Sequence, residues 1–396
     1  MPRSFLVASA RTPIGKLGGA LAGFSAVQLG AVAVRAALDR AGIPAEVVDH
    51  VVMGHVLQAG QGQNPARQAA VAAGVPMSVP AVTVNKVCLS GLYAIYVADQ
   101  MIRTGEADVV VAGGMESMSN APYLLPGARA GYRLGDAAAV DALVADGLWC
   151  SFDGVHMGSG TDAYSRRAGL SRLAQDELAA TSHERAAIAV KEGRLADEIV
   201  PVPVPQRKGE PVLHETDEGV RPGTNTEALA RLKPAFSPDG TITAGNASQL
   251  SDGAAAVVMM SQAKLAELGL APRAELVGYA MVAGPDPSLL TQPSRAITQA
   301  LTRAGLSLAD VNLFEINEAF AAVSLASMAE LGIGDEVVNV NGGSIALGHP
   351  IGMSGARLVL TLVEELRRRG GGVGAAALCG GGGQGDAAVL KVGSGS

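Results

Sequence analysis

Cysteine is scarce in this chain, with three residues in a sequence of 396. So small and odd a number excludes the dense disulfide framework of small secreted proteins. The six histidines and three cysteines form neither a C-x-x-C pair nor a zincin spacing, which excludes the common sequence signatures of a zinc site. We therefore predict reduced thiols, no bound metal, and the cytoplasm as the compartment.

Charged residues are also sparse, at 17% of the chain, and the formal net charge is -7 with a pI near 5.5. The lack of a basic excess argues against nonspecific nucleic-acid binding. No apolar stretch is long enough to cross a bilayer, and the apolar run near Met1 is too short for a signal peptide. The sequence therefore predicts neither nucleic acid nor a membrane as a partner.

Small and apolar residues dominate instead: hydrophobic residues account for 48% of the chain, and there are 51 glycines. This composition is typical of a well-packed globular protein, and small residues favour helices that pack closely on sheets. The length allows two or three domains.

The chain repeats a pattern. Residues 37–43 (ALDRAGI) recur as residues 300–306 (ALTRAGL). In both copies a helical pattern ends at glycine, Gly42 or Gly305, the residue that best tolerates the left-handed position after a helix. Chance similarity between two capped helices is the alternative, but the order of elements downstream also repeats.

That downstream order is strand, turn, helix, strand and glycine turn. The three regular elements are predicted, for the two halves in turn, at 82–84, 91–104 and 108–112, and at 337–340, 355–369 and 373–378. Strands that are continuous apolar runs alternating with helices indicate sheets buried on both faces. The sequence therefore predicts two similar α/β halves.

Between the halves the character of the sequence changes. Prolines alternate with valines over 200–205, basic residues become more frequent, and a helix is predicted over 172–191. An inserted loop domain on a rigid scaffold often carries ligand contacts, whereas an exposed insertion with solvated charges is the alternative. We predict three parts, namely an N-terminal half at 1–118 plus 246–270, the inserted domain at 119–245, and a C-terminal half at 271–396.

Cys88 lies between an apolar strand and a predicted helix. The unpaired N–H groups and the macrodipole at a helix N-terminus lower the pKa of a thiol. We therefore predict a reactive nucleophile suited to attack on a thioester. Core packing is the alternative for a cysteine at a strand end, but Ser90 and Gly91 directly after it favour the nucleophile.

A histidine and an asparagine offer groups that can act beside this thiol. His349 stands in a turn between Gly348 and Pro350, where it is predicted to remove the thiol proton, a hydrogen-bonded structural histidine being the alternative. Asn317 follows an apolar strand at 313–316. Its amide is predicted to orient a water or donate to an oxyanion, to cap the helix that follows, or both.

Cys379 precedes four glycines, which allow a substrate to approach the backbone and expose N–H groups to a developing negative charge. Residues 380–385 also fit the G-x-G-x-x-G pattern. A dinucleotide site needs a following helix and an acidic residue about 20 positions further on, whereas residues 387–392 have a strand pattern. We therefore reject a dinucleotide site. Cys150 has no base beside it in the sequence and is predicted to be a bystander.

Four blocks, in this order, resemble the thiolase family: NKVC at 85–88, NEAF at 317–320, NGGSIALGHPIG at 341–352 and CGGG at 379–382. The resemblance covers essentially the whole chain. It implies a five-layered α-β-α-β-α fold of two similar halves, with the insertion as a coenzyme A-binding loop domain. It also implies a homotetramer built as a pair of tight dimers.

The NKVC block is more similar to the short-chain branch of that family than to its long-chain β-oxidation branch. The resemblance then implies an acyltransferase of fatty-acid metabolism that condenses two acetyl-CoA to acetoacetyl-CoA plus CoA, and catalyses the reverse thiolysis, by a ping-pong mechanism. Coenzyme A thioesters would be its substrates, and no further cofactor would be needed.

The resemblance also implies residue roles. Cys88 would be the nucleophile that becomes acetylated, and His349 would take its proton. Cys379 would move the α-proton of the second acetyl-CoA, and Asn317 would hold a water that stabilises the enolate oxygen together with His349. The backbone N–H groups of Cys88 and Gly381 would form the oxyanion hole. Coenzyme contacts are implied at His156, Met157, Arg221, Ser248, Ala319 and Phe320.

Two positions depart from the family pattern. Leu89 follows the nucleophile where a small residue is usual, and Gln249 follows Ser248 where the short-chain branch usually has glycine. Both are predicted to reshape the acyl pocket, so a 3-ketoacyl-CoA thiolase of broader chain length stays an alternative. A β-ketoacyl synthase is disfavoured because Cys379 stands where that family typically uses histidine. A non-catalytic acyl-CoA or lipid-binding protein is disfavoured because no catalytic residue is missing.

Overall fold

The structure is a computed structural model that describes residues 3–393. Its main feature is a continuous mixed sheet of ten strands with helices on both sides. The outer ends of the predicted domains, at residues 1–2 and 394–396, lie outside the described residues.

Up to residue 117 the chain forms five strands and three α-helices. The strands are β1 (Ser4–Arg11), β2 (Gly15–Lys16), β3 (His50–Gly54), β4 (Ala81–Val84) and β5 (Val109–Ser117). The helices are α1 (Ala26–Ala41), α2 (Pro65–Ala72) and α3 (Ser90–Thr104). Ser25 and Gln28 form a capping box that satisfies backbone donors at the start of α1.

The chain then leaves the main sheet and forms three two-stranded ribbons and three helices. The ribbons pair β6 (Tyr123–Leu124) with β7 (Val140–Asp141), β8 (Trp149–Cys150) with β9 (Val155–His156), and β10 (Val202–Val204) with β11 (Val212–His214). The helices are α4 (Met157–Arg167), α5 (Arg172–Lys191) and α6 (Thr226–Ala230), and a π-helical segment spans Leu143–Leu148. The helix predicted over 172–191 is confirmed as α5, which Ser171 caps.

The remaining elements complete the sheet. The strands are β12 (Ser251–Ser261), β13 (Ala274–Ala283), β14 (Leu313–Ile316), β15 (Gly372–Gly380) and β16 (Gln384–Val392). The helices are α7 (Gln262–Leu268), α8 (Gln292–Ala304), α9 (Ala321–Leu331), α10 (Ser344–Leu347) and α11 (Ser354–Arg368). β16 confirms the strand predicted over 387–392, and it stands where the dinucleotide fingerprint would need a helix.

The sheet runs in the order β14-β15-β16-β13-β1-β12-β5-β3-β4, and β2 pairs with the start of β12. β1 meets β13 through the pairs Phe5–Glu275 and Leu6–Ala274, so the sheet has a first-half part and a second-half part. Helices α3 and α11 pack between the two parts. Helices α1 and α2 cover the outer face of the first part, and α8 and α9 that of the second. The predicted five-layered fold is confirmed.

Strand alternation builds these layers from the sequence. In β5, Val109 and Val111 face the outer core beneath α1, whereas Val110 and Ala112 face the central core around α3. Successive side chains of a strand point to opposite faces, so a strand buried on both faces must be apolar throughout. This is why the strands are continuous apolar runs in the sequence.

The repeated segment occupies equivalent places in the two halves. Gly42 ends α1 with φ of 66°, and Gly305 ends α8 with φ of 68°. Both are left-handed conformations, which glycine adopts without the steric cost of a Cβ. Each helix lies in the outer layer of its own half, as the repeat predicts.

Helices α3 and α11 contact each other closely at their N-terminal ends. A Cβ on Gly91 would lie 2.9 Å from the Gly352 carbonyl oxygen, and a Cβ on Gly355 would lie 2.3 Å from the Leu92 backbone nitrogen. Glycine is therefore required on both helices for this approach. The contact brings the turn before α3 beside the turn before α11.

The strand predicted over 337–340 is wrong. A single parallel bridge joins Phe314 to Val338, and Asn339 then turns into the left-handed region with φ of 47°. The Asn339 side chain accepts a hydrogen bond from the Ile316 N–H at 2.9 Å and donates to the Ile316 carbonyl at 2.8 Å. An amide side chain thus takes over the pairing that a strand backbone would have supplied.

No helix within residues 3–393 has both the length and the hydropathy that crossing a bilayer demands.

We expect Gly355→Ala to lower the free energy of unfolding by about 1–3 kcal/mol, because the added methyl forces α3 and α11 apart in a closely packed layer. Chemical denaturation followed by circular dichroism measures this loss. Gly23→Ala is the matched control, since Gly23 is exposed and nothing lies near its Cβ position. Equal stability of the two variants would contradict the proposed role of the contact.

Candidate active site

A cavity of about 530 Å³ opens at the meeting point of the two halves. Nine of the eleven predicted site residues line it: Cys88, His156, Met157, Ser248, Ala319, Phe320, His349, Cys379 and Gly381. Asn317 and Arg221 lie outside this lining. The structure therefore brings together the two thiols and the imidazole, which come from distant parts of the chain.

The loop that carries Cys88 has a strained backbone. Val87 adopts φ of 51°, which is rare for a β-branched residue. The Ser90 hydroxyl accepts from the Lys86 N–H at 2.8 Å and donates to the Val87 carbonyl at 2.6 Å, while the Asn85 side chain accepts from the Val87 N–H at 3.0 Å. These bonds hold Cys88 at the start of α3 in a conformation that costs energy, as is common at functional sites.

The pKa of the Cys88 thiol differs from the sequence-based prediction. Burial, with a smaller contribution from the charge of Glu116, raises this pKa to about 12. The hydrogen bond of the Cys88 backbone opposes the shift but is the smaller effect, so removal from water outweighs the helix terminus. The prediction of a lowered pKa is wrong. The thiol is protonated near neutral pH and needs a base to become a nucleophile.

His349 is placed to be that base. Burial, followed by the charge of Arg357, lowers the pKa of the imidazole to about 3, so the ring is neutral and holds an acceptor lone pair at neutral pH. Nδ1 lies 2.6 Å from the Ser354 hydroxyl, which lies 2.9 Å from the Pro350 carbonyl. That hydroxyl donates to the carbonyl, so we assign the ring proton to Nδ1 and the free lone pair to Nε2.

Asn317 is fully buried behind the imidazole, with its amide nitrogen 3.4 Å from His349 Nε2. Its side-chain oxygen accepts from the Ser344 hydroxyl at 2.6 Å, and that hydroxyl accepts from Arg357 at 3.3 Å. This chain of donors fixes the amide with its nitrogen toward the imidazole. The capping alternative for Asn317 is wrong, because α9 begins at Ala321 with Phe320 as its cap.

Cys379 lies near the end of β15, opposite Gly385 of β16, with 1% of its surface exposed. Burial, and next the neighbouring Cys88, raise the pKa of this thiol well above its ordinary value. The turn that follows requires glycine, because Gly383 has φ of 68° and a Cβ there would lie 2.1 Å from the Asp286 carbonyl oxygen. Both thiols are therefore protonated, and each needs a proton acceptor to react.

Two aromatic rings of the cavity lining, His156 and Phe320, both contact Phe236, which lies outside the lining. The His156 ring stacks on Phe236 with centroids 4.9 Å apart, and Phe236 meets the edge of Phe320 at 6.5 Å. The Ser248 hydroxyl donates to the Ala319 carbonyl at 2.9 Å. Such a wall suits a flexible, partly apolar ligand arm. Sequence reasoning missed Phe236, which stands in no recognisable motif.

Two family models match this chain. "Thiolase, N-terminal domain" matches residues 4–263, and "Thiolase, C-terminal domain" matches residues 270–392. The chain belongs to the thiolase family. It is an enzyme of that family, an acyltransferase.

Full-length relatives agree with this assignment. The "Probable acetyl-CoA acetyltransferase" of Mycolicibacterium smegmatis is 58% identical over 386 residues, which cover 98% of this chain and 100% of the relative. The "Acetyl-CoA acetyltransferase" of Pseudomonas aeruginosa is 53% identical, with 97% of this chain and 98% of the relative covered. That of Cupriavidus necator is 52% identical, with 98% of each chain covered.

The two departures from the thiolase pattern do not line the cavity. Leu89 is fully buried in the central core, where a Cβ on Gly380 would lie 2.6 Å from its side chain. Gln249 donates to the Gly219 and Ile345 carbonyls, each at 3.0 Å. The prediction that both reshape the acyl pocket is therefore wrong, since both side chains are used in packing or in backbone hydrogen bonds.

The contact of Arg221 with the adenine stays a prediction, whereas Cys150 differs from expectation. Arg221 is exposed and donates to the Gln249 side chain at 3.3 Å, outside the cavity lining. Cys150 is buried and lines the same cavity as the other two thiols, so it is closer to the site than a bystander would be. Apolar residues that no motif indicated complete the lining, among them Val56, Leu148, Leu289 and Ile351.

We expect protonation of His349 to destabilise the protein as the pH falls. The folded pKa lies near 3 and the unfolded value near 6.5, so between them the unfolded chain binds more protons. From pH 7 to pH 5 wild type should lose about 2 kcal/mol more of its free energy of unfolding than His349→Asn does. Urea titrations at both pH values measure this difference. An identical pH dependence of the two proteins would show that the imidazole is not buried in its neutral form.

Proposed function

We propose that this chain condenses two molecules of acetyl-CoA to acetoacetyl-CoA and CoA, and catalyses the reverse thiolysis, through an acetyl-Cys88 intermediate. The observation that carries the proposal is the single cavity that holds Cys88, Cys379 and a neutral His349. The relatives at 58%, 53% and 52% identity are named as acetyl-CoA acetyltransferases, which supports acetyl-CoA as the substrate.

In the first half-reaction His349 Nε2 accepts the Cys88 proton, and the thiolate attacks the acetyl carbonyl carbon. Negative charge develops on the carbonyl oxygen, which the backbone N–H groups of Cys88 and Gly381 would stabilise. The C–S bond to coenzyme A then breaks, the coenzyme thiolate takes up the Cys379 proton and leaves as a thiol, and acetyl-Cys88 remains beside a Cys379 thiolate and a protonated His349. The high pKa of the Cys88 thiol makes the imidazole necessary for this step.

In the second half-reaction Cys379, as a thiolate, removes an α-proton from a second acetyl-CoA. The enolate oxygen would be stabilised by His349 and by a water held on the Asn317 amide. The α-carbon attacks the carbonyl carbon of acetyl-Cys88, the bond to sulfur breaks, and the Cys88 thiolate takes its proton back from His349. An acyl-cysteine is itself a thioester, so it retains the reactivity that this attack requires.

The coenzyme would enter along the aromatic side of the cavity, past His156, Met157, Ser248, Ala319 and Phe320. Their common cavity lining supports this path. Arg221 would contact the adenine outside the cavity, where its guanidinium is exposed. The substrates are thioesters that react without a redox step, so we propose no further cofactor.

A thiolase of broader chain length is the second candidate. The apolar side chains of Val56, Leu148 and Ile351 line the cavity near Cys88 and favour it, because they would accommodate more than an acetyl group.

We also propose a homotetramer in the cytoplasm that acts in fatty-acid metabolism. Four large apolar side chains between β5 and β7 are exposed, and exposed apolar patches often mark interfaces. They are Tyr123, Leu125, Tyr132 and Leu134. β4 is an open sheet edge with Val82 exposed, which a second copy would cover.

Replacing each thiol should separate the two half-reactions. Cys88→Ala should take up no covalent label from radioactive acetyl-CoA. Cys379→Ala should be labelled but form acetoacetyl-CoA at least about 100-fold more slowly, because it lacks the α-proton acceptor. Cys150→Ala should still be labelled, since no role is assigned to that thiol. Label at the wild-type level on Cys88→Ala would overturn the proposal.

Chain length is tested by thiolysis of 3-ketoacyl-CoA substrates from four to twelve carbons. For an acetyl-specific enzyme we expect kcat/KM to be highest with acetoacetyl-CoA and to fall by about 10-fold or more with longer chains. A rise in kcat/KM toward longer chains would instead establish the broader thiolase. Leu148→Ala should shift the profile to longer chains, and Leu89→Ala should not, because Leu89 lies outside the cavity lining.

A further inference from the structure

An ion pair joins the loop that carries Cys88 to β16, the strand that pairs with the Cys379 end of β15. Lys86 Nζ lies 2.7 Å from one carboxylate oxygen of Asp386 and 2.9 Å from the other, between residues 300 positions apart in the sequence. Asp386 is fully buried, and the Lys86 side chain is 17% exposed. A bidentate, charge-assisted contact of this kind constrains both the distance and the orientation of its partners.

The backbone positions of the pair are close to those of both cysteines. Lys86 lies two residues before Cys88 in the strained loop. Asp386 is paired with Leu378 across β15 and β16, one position from the pair of Cys379 with Gly385. A shift of the Cys88 loop would therefore change the ion pair and the placement of Cys88 together, and a shift of the paired strands β15 and β16 would do the same for Cys379.

Neighbouring side chains hold the pair in position. The Tyr279 hydroxyl donates to Asp386 at 2.7 Å, and the Tyr279 ring stacks on Tyr96 of α3 with centroids 4.5 Å apart. The Lys86 ammonium lies 5.1 Å from the centroid of Tyr93, also on α3. The ion pair is thus anchored to the central helix that follows Cys88.

Apolar contacts also join the Cys88 loop to the residues that follow Cys379. Leu89 lies against Gly380, and Val87 lies against Gly381, where a Cβ would be 3.4 Å from it. Apolar contacts fill space but tolerate sliding, whereas an ion pair is directional. A buried ion pair is often no more stabilising than apolar residues of the same size, so a role in specifying geometry accounts for its presence here better than a role in stability.

We infer that Lys86 and Asp386 are positioning residues, which set the Cys88 loop against the Cys379 end of β15 for carbon–carbon bond formation. The inference rests on the proposed function. Acylation uses Cys88 and His349, but the bond-forming step needs the acyl carbon on Cys88 and the α-carbon activated by Cys379 within reacting distance. A misplacement of about 1 Å costs such a step up to about 100-fold.

The test is the double variant Lys86→Met with Asp386→Asn, which removes both charges and leaves an acceptor for Tyr279. Rapid-quench labelling with radioactive acetyl-CoA measures acylation of Cys88, and acetoacetyl-CoA formation measures the second step. We expect acylation to stay within about 3-fold of wild type and bond formation to fall by about 10- to 100-fold, mainly in kcat. The single variant Lys86→Arg, which keeps Asp386, should form acetoacetyl-CoA within a few fold of the wild-type rate, because arginine also binds a carboxylate in bidentate fashion.

The matched control is Arg273→Met with Glu364→Gln. That pair, 2.5 Å apart and similarly exposed, joins the start of β13 to α11. It should leave the ratio of the two steps unchanged. Three results would overturn the inference: wild-type bond formation in the double variant, an equal fall in both steps, or the same change of ratio in the control. Failure of wild type itself to acylate Cys88 would instead overturn the proposed function.

Discussion

The close approach of α3 and α11 at Gly91 and Gly355 is the contact on which the rest of the molecule depends. It joins two halves whose strands share few backbone pairs, and it sets the Cys88 turn beside the His349 turn. Cys88 comes from the first half of the chain, whereas His349 and Cys379 come from the second. The layer of two central helices is therefore both the middle of the core and the frame of the site.

Electrostatics at the site follow from that burial. A thiol or an imidazole removed from water stays neutral, so Cys88 and His349 begin as a hydrogen donor and an acceptor rather than as an ion pair. The contacts of the ring with Ser354 and Asn317 then determine which imidazole nitrogen carries the proton and which one accepts a proton. Burial thus keeps both groups uncharged, and hydrogen bonds fix the orientation and the protonated nitrogen of the imidazole.

Much of the fold was accessible from the sequence because its signals are local. The apolar runs of β5 and β15, the caps at Gly42 and Gly305, and the helix after Ser171 each depend on nearby residues. Cys88, His349 and Cys379 stand in recognisable motifs, whereas coenzyme contacts such as His156 and Arg221 were implied only by the resemblance to thiolases. The failures involve long-range effects: Asn339 replaces a strand by bonding to Ile316, and Leu89 points into the core. The raised pKa of Cys88 arises from surroundings assembled from both halves, which no local pattern encodes.

The protonated state of the thiols has a consequence for how long the enzyme survives. Peroxides oxidise thiolates far faster than thiols, so a resting site with little thiolate is a poor target for irreversible oxidation. With Cys88 held near a pKa of 12, the vulnerable form exists mainly while the imidazole holds the proton during turnover. Desolvation of the nucleophile thus keeps the share of oxidisable thiolate small in the resting enzyme.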